Sequence, residues 1–86
     1  MNTIKCNVDS RWMDSLESAH ITIISPTGGY VRIDKRKFGK ANLTDTQMEL
    51  VWKCSEAGNI ELTIAEMNEL VTIGNIAGTV YKKRKK

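Results

Sequence analysis

The stretch from Glu61 to Lys86 constrains the fold more than any other part of this chain. It reads E-L-T-I-A-E-M-N-E-L-V-T-I-G-N-I-A-G-T-V-Y-K-K-R-K-K. Thr63-x-x-Glu66 is a capping-box pattern, in which a hydroxyl and a carboxylate satisfy two orphan N–H groups at a helix start. Behind it Ile64, Met67, Leu70 and Val71 recur at helical spacing, while Glu66 and Glu69 face away. The pattern predicts a helix over 64–71, broken by Thr72 to Asn75. Two readings exist for Ile76 onward. As a strand, it would pair with Val71-Thr72-Ile73 across a Gly74-Asn75 turn, which the β-branched content supports. As a helix over 76–85, it would pack Ile76, Ala77 and Val80 inward and expose Gly78, Thr79, Lys82 and Lys85. The helix is the reading carried forward. Its basic end would then lie along a polyanion.

Charge is divided along the chain more sharply than its net value of +3 suggests. Arg32, Lys35, Arg36, Lys37 and Lys40 cluster around the single acid Asp34. Lys82, Lys83, Arg84, Lys85 and Lys86 follow one another without interruption. Between these blocks lie Asp45, Glu49, Glu56, Glu61, Glu66 and Glu69 against Lys53 alone. Two basic blocks around an acidic middle say more about partners than the average does.

At 86 residues the chain makes one small domain, assigned to residues 1–81, with 82–86 as a basic tail. No apolar run reaches membrane-spanning length and Met1 to Ser10 has no signal-peptide pattern, so a cytoplasmic protein is expected. Cys6 and Cys54 are far apart, have apolar neighbours and lack metal-ligand spacing, which predicts two reduced, partly buried thiols.

Ile4, Cys6 and Val8 alternate with polar residues and predict a short strand. Asp9 or Ser10 could cap a brief helix carrying Trp12, Met13 and Leu16, or the stretch is a loop. The clearest hairpin spans residues 20–34. His20 to Ile24 is largely β-branched, Ser25-Pro26-Thr27-Gly28-Gly29 is a turn cluster, and Val31 and Ile33 then share a face. Lys35 to Asn42 reads as a basic loop with Phe38 tucked under the sheet. Thr44-x-x-Gln47 is another capping box, starting a helix over 45–57. Met48, Leu50, Val51, Trp52, Cys54 and Ala57 form its wide apolar arc, and Gly58 would end it in a left-handed cap. Glu49 and Lys53 stand four apart in the favourable order. Ile60 and Leu62 bridge to the next element. The fold class expected is α+β, with an N-terminal β-hairpin region followed by a three-helix, helix-turn-helix-like unit.

From Tyr30 onward the segments Y-V-R-I-D-K-R-K-F, L-T-D-T-Q-M-E-L-V, E-L-T-I-A-E-M-N-E-L and G-T-V-Y-K-K resemble the small winged-helix or helix-turn-helix domains of phage and plasmid replication or regulatory proteins. The resemblance implies a strand leading into a first helix, a Thr-capped second helix, and a third helix that enters the major groove near Thr79-Val80-Tyr81. Two features depart from the family. The turn from Ile73 to Val80 is longer than usual, and Lys82 to Lys86 stand where a C-terminal wing would begin, so either the wing is absent or the Ile21–Ile33 hairpin substitutes for it.

Under that resemblance Asn75, Thr79 and Lys82 are the base-edge candidates, since Asn can pair with adenine and Lys with guanine acceptors. Lys82, Lys83, Arg84, Lys85 and Lys86 would neutralise phosphates, unless they are only a solubilising tail. Arg32, Lys35, Arg36 and Lys37 would hold the backbone on either side of the third helix, or serve only as edge-strand protection. Gly78 in a helix costs about 1 kcal/mol relative to Ala, which close approach to phosphate, tight packing or a turn would justify equally. Tyr30 and Tyr81 could stack on bases, although tyrosines at such positions are more often half-buried core residues. Trp52 reads as core, and Trp12 as core or interface. His20 has no second histidine or carboxylate at ligand spacing, so neither metal nor cofactor is expected. With no nucleophile–base pair and no phosphate-cradling loop, the chain reads as a non-enzyme. The expected function is binding of double-stranded DNA, as a homodimer on two half-sites, in transcription regulation or as an accessory factor of a phage or mobile element. The alternative is a protein-binding inhibitor or adaptor that docks on a host enzyme. An RNA-binding module on the hairpin face ranks third, because that face lacks an aromatic pair for stacking.

Overall fold

Ile4, Cys6 and Val8 turn one way and Lys5, Asn7 and Asp9 the other along strand β1 (Thr3–Ser10). The computed structural model describes residues 2–56 and 58–81. After β1 the chain turns through Arg11–Ala19, where Asp14 N–H donates to Arg11 O and Ala19 N–H to Ser15 O in place of the brief helix considered there. The expected hairpin follows as β2 (His20–Ile24) and β3 (Tyr30–Asp34). Its loop closes through Ser25 N–H to Gly29 O at 2.8 Å, with Gly28 at φ 95°. Positive φ at Gly28 carries no Cβ penalty.

The basic stretch expected as a loop is instead a short helix, α1 (Lys35–Lys40). Phe38 anchors it by packing against the core and lying edge-on to Trp12, ring centroids 5.4 Å apart. Helix α2 (Asp45–Lys53) starts on the predicted capping box. Thr44 Oγ1 accepts from Gln47 N–H, and Gln47 Oε1 accepts from Thr44 N–H. The helix stops at Lys53 and does not run to residue 57; Cys54–Glu56 form a turn. Gly58, at φ 117°, opens a strand rather than capping the helix. That strand, β4 (Gly58–Thr63), replaces the mere bridge expected at Ile60 and Leu62, and it lies antiparallel to β1. Thr63 and Glu66 then form the second capping box and start α3 (Ile64–Ala77). The chain ends its described course in β5 (Gly78–Tyr81), antiparallel to β3.

The sheet is five-stranded and antiparallel throughout, in the order β4-β1-β2-β3-β5. The α+β class stands. The three-helix, helix-turn-helix-like unit does not, because residues 78–81 complete the sheet and the expected helix over 76–85 is not formed there. The expected break at Thr72–Asn75 is likewise absent, since α3 continues to Ala77.

Topology explains both corrections. The chain must travel from one sheet edge, β4, to the other, β5. Four interstrand spacings amount to about 19 Å, and a 14-residue helix is about 21 Å long. A two-turn helix would stop halfway across. Local propensity is overridden along the way. Thr72 Oγ1 donates to Asn68 O, so the hydroxyl is satisfied inside the helix. Gly74 faces the sheet, where an added Cβ would lie 2.7 Å from Val31 Cγ1 and 2.8 Å from Val80 Cγ2.

The core fills the space between this helix layer and one sheet face. Cys6, Val8, Ile21, Ile23, Val31, Ile33 and Leu62 from the strands meet Leu50, Val51, Cys54, Leu70, Ile73 and Ala77 from the helical side. Trp52, read as core, is 54% exposed instead. At a hydrophobic coefficient of ~25 cal/mol per Å² its contribution to folding is correspondingly reduced. Ile76, expected to pack inward, is also exposed.

Candidate nucleic-acid interface

The second sheet face carries the residues that alternate with the core, and they are exposed or half-buried. Cross-strand pairing orders them into rows. One row runs Asn59, Asn7, Ile24, Tyr30, Tyr81 across all five strands. The next runs Asp9, Thr22, Arg32, Thr79. Lys5 stands opposite Glu61, and His20 opposite Asp34.

Tyr30 and Tyr81 are cross-strand partners, and their rings are stacked with centroids 5.3 Å apart and planes at 24°. Tyr81 is 49% exposed and Ile24 39%. In the same row the Asn7 side-chain amide donates to Asn59 Oδ1 at 3.4 Å. Arg32 Nε donates to Asp34 Oδ1 at 3.0 Å. A guanidinium has five N–H donors in a planar fork, and its Nε–H is the one that Asp34 engages. The arginine is therefore held in place while its side chain keeps substantial exposure.

Electrostatics differ between the two layers. On the open face Lys5, Arg11 and Arg32 accompany Asp9, Asp34 and Glu61, and the sequence runs from Tyr81 directly into five basic residues. In the helical layer α1 is basic, with Lys35, Arg36, Lys37 and Lys40, whereas the α2–α3 side is acidic. Glu49, Glu66 and Glu69 border a groove of ≈ 550 Å³ between α2 and α3, with Lys53 among them. Lys53 pairs across this groove with Glu66 at 3.1 Å, rather than within its own helix with Glu49 as expected. The Thr63 N–H bonded to the Glu66 carboxylate, with Lys53 in support, holds that carboxyl below its ordinary pKa.

The expected site residues do not converge. Asn75 is exposed on α3, in the helical layer, whereas Thr79 is exposed on the open sheet face beside Arg32. Lys35 serves the fold: its ammonium donates to Trp12 O at 3.0 Å and lies 5.5 Å from the Trp12 ring centroid. Arg36 and Lys37 are exposed on α1, and Lys37 reaches Asp34 at 3.9 Å. Lys82, Lys83, Arg84, Lys85 and Lys86 lie outside the described residues. Of the original set, Arg32 and Thr79 are neighbours on the open face. Sequence reasoning missed Lys5, Asn7, Thr22, Tyr30, Asn59 and Tyr81 as a shared surface. For β1 the signal was present in the polar partners of the Ile4-Cys6-Val8 alternation. For Tyr81 it was hidden by the helix reading.

Both cysteines are buried and unbridged, as the sequence predicts. Burial pushes the Cys54 thiol up to about 11, with Lys53 partly opposing and Glu66 and Cys6 adding to the rise. Burial also raises Cys6. His20 Nδ1 lies 2.8 Å from Ser18 O. Among the described residues no group of three or more His, Cys, Asp or Glu side chains is arranged to hold a metal ion, and no helix is long and apolar enough to cross a membrane. No protein-family model, curated protein or solved structure matches this chain.

Proposed function

We propose that this is a non-enzymatic nucleic-acid-binding protein whose contact surface is the open face of its sheet. The observation that carries the reading is the row Tyr30–Tyr81 beside Arg32 and Thr79, on a face the helices leave uncovered and at the strand from which Lys82 to Lys86 continue. Aromatic rings offer bases a stacking surface, and cations next to them meet phosphate. The third helix that duplex recognition required is replaced by β5, so readout by Asn75, Thr79 and Lys82 in a major groove has no element to present it. The polyanion itself remains the partner that the basic blocks favour.

Fluorescence anisotropy of labelled oligonucleotides across a salt series tests this. Binding near physiological salt should weaken steeply as salt rises and fall in a Lys82→Ala, Lys83→Ala variant. Five phosphate contacts would give a log–log slope of roughly −3.5 on a single strand and −4.5 on a duplex. Absence of binding to any oligonucleotide at moderate salt would exclude the proposal.

A second reading rests on the other layer. Trp52 and Ile64 are 54% and 57% exposed on α2 and α3, the helices whose acidic groove carries Glu49, Glu66 and Glu69. Exposed aromatic and aliphatic side chains on the two helices that form a charged groove suit a basic segment of a partner protein. A protein acting this way ignores nucleic acid at physiological salt and co-purifies with one partner, and that association is lost on Trp52→Ala.

A further inference from the structure

We infer that the nucleic acid this face takes is single-stranded RNA, an inference that rests on the nucleic-acid reading above and specifies its ligand. Three features lead there. The first is shape. A sheet face is broad and shallow, whereas a duplex major groove admits a helix or a two-stranded ribbon. Here five strands lie side by side, and no described helix projects from the open side.

The second is the aromatic pair. Duplex bases are already stacked on one another and offer a ring no free face; the bases of a single strand do. Tyr30 and Tyr81 are stacked in line along one row, with Tyr81 toward the sheet edge. The outer ring takes a base, and the inner ring and Ile24 extend the same row toward the sheet centre. Edge-strand position leaves Tyr81 approachable from the side as well as from above. Arg32, one row away and fixed by Asp34, stands where the phosphate linked to that base would pass.

The third feature distinguishes RNA from DNA. The two rows also present Asn7, Asn59, Thr22 and Thr79, which supply amides and hydroxyls able to donate and accept. A ribose 2′-OH is both donor and acceptor, and it is the group that tells RNA from DNA at a given site. A deoxyribose strand leaves those partners to water.

The test compares four labelled 12-nucleotide probes of one mixed sequence: single-stranded RNA, single-stranded DNA, and each as a perfect duplex. Each is titrated into wild-type protein and into Tyr81→Leu, Tyr81→Phe and Thr79→Val variants. Folding of each variant is checked by circular dichroism and thermal melting. Single-stranded RNA should bind tightest. Tyr81→Leu should weaken it by roughly 5- to 150-fold, the range for loss of one base stack. Tyr81→Phe keeps the ring and should bind like wild type. Thr79→Val should narrow the preference for RNA over DNA. Should Tyr81→Leu prove unfolded, ultraviolet crosslinking of the wild-type protein to a 5-bromouridine RNA carries the test: a crosslink at Tyr30 or Tyr81 supports the inference, and the absence of a crosslink at both overturns it. Equal or tighter binding of DNA, tighter binding of either duplex, or indifference to Tyr81→Leu in a folded variant would overturn it. In each of those cases the nucleic-acid reading survives through the salt-dependent binding that remains. Failure of all four probes removes both.

Discussion

Thr63 and Glu66 hold the start of α3 through a reciprocal pair of hydrogen bonds. Replacing such a cap with alanine typically costs about 1 kcal/mol, so Thr63→Ala should lower the urea midpoint without changing the slope of the transition. The same contact gives Glu66 its lowered pKa. A carboxyl depressed in the folded state contributes stability that is complete above its unfolded pKa. That contribution is lost as pH falls through the lower folded value. Acid unfolding of wild type should therefore include a term from the ordinary Glu range downward that Glu66→Gln lacks. The Cys54 thiol behaves oppositely. Its pKa rises to about 11 on burial, so the unfolded chain ionises first and stability falls as pH climbs from the ordinary cysteine range toward that value. At neutral pH Cys54 should resist alkylation in the native protein and react once urea unfolds it, with mass spectrometry of the labelled peptide as the readout. Both capping boxes and the burial of both cysteines were legible in the sequence, because each depends on residues a few positions apart or on plain apolarity. Trp52 was not: nothing local says which apolar residue of a wide arc is left outside. Its exposure predicts that Trp52→Ala costs well under the roughly 3–5 kcal/mol of a buried tryptophan, as a melting comparison would show.

At the scale of elements, β5 decides the fold, and Gly78 decides β5. Gly78 pairs with Ile33, and a Cβ there would collide with the Arg32 carbonyl. This is tight packing, one of the three justifications the sequence left open for a glycine at that position. Gly78→Ala should cost more than the roughly 1–3 kcal/mol of an ordinary overpacked site, because backbone rather than a side chain must move. Hydrogen exchange should show early loss of protection in β5 and at the facing amides of β3, with β1 and β2 less affected. The hairpin of residues 20–34 was legible because its turn residues and alternation are contiguous. Strands β4 and β5 were not, because each is recognised by its partner. Ile60 and Leu62 alternate over too few residues to stand alone, and Thr79-Val80-Tyr81 gains meaning only when α3 brings it across the sheet to Tyr30-Val31-Arg32. The Gly74-Asn75 pair looked like a turn, yet Gly74 is where the helix needs to approach Val31 and Val80.

The molecule as a whole has two unlike sides. One is a helical layer with an acidic groove; the other is a bare sheet face with a tyrosine pair, an anchored arginine and a basic continuation. The charge blocks in the sequence led to the expectation of a polyanion partner, while the surface proposed to meet it became visible only once the strands were ordered. That one correction moves the proposed contact from a helix to a sheet and promotes the RNA reading that a missing aromatic pair had placed third. The central claim is thus a claim about which side of the molecule is used. The most direct measurement is a heteronuclear NMR titration of labelled protein with a short single-stranded RNA. The account predicts that shifted amides cluster at Lys5, Asn7, Thr22, Tyr30, Arg32, Thr79 and Tyr81, with Glu49, Lys53, Glu66 and Glu69 unmoved. Shifts confined to the α2–α3 groove, or no shifts at saturating RNA, would contradict it.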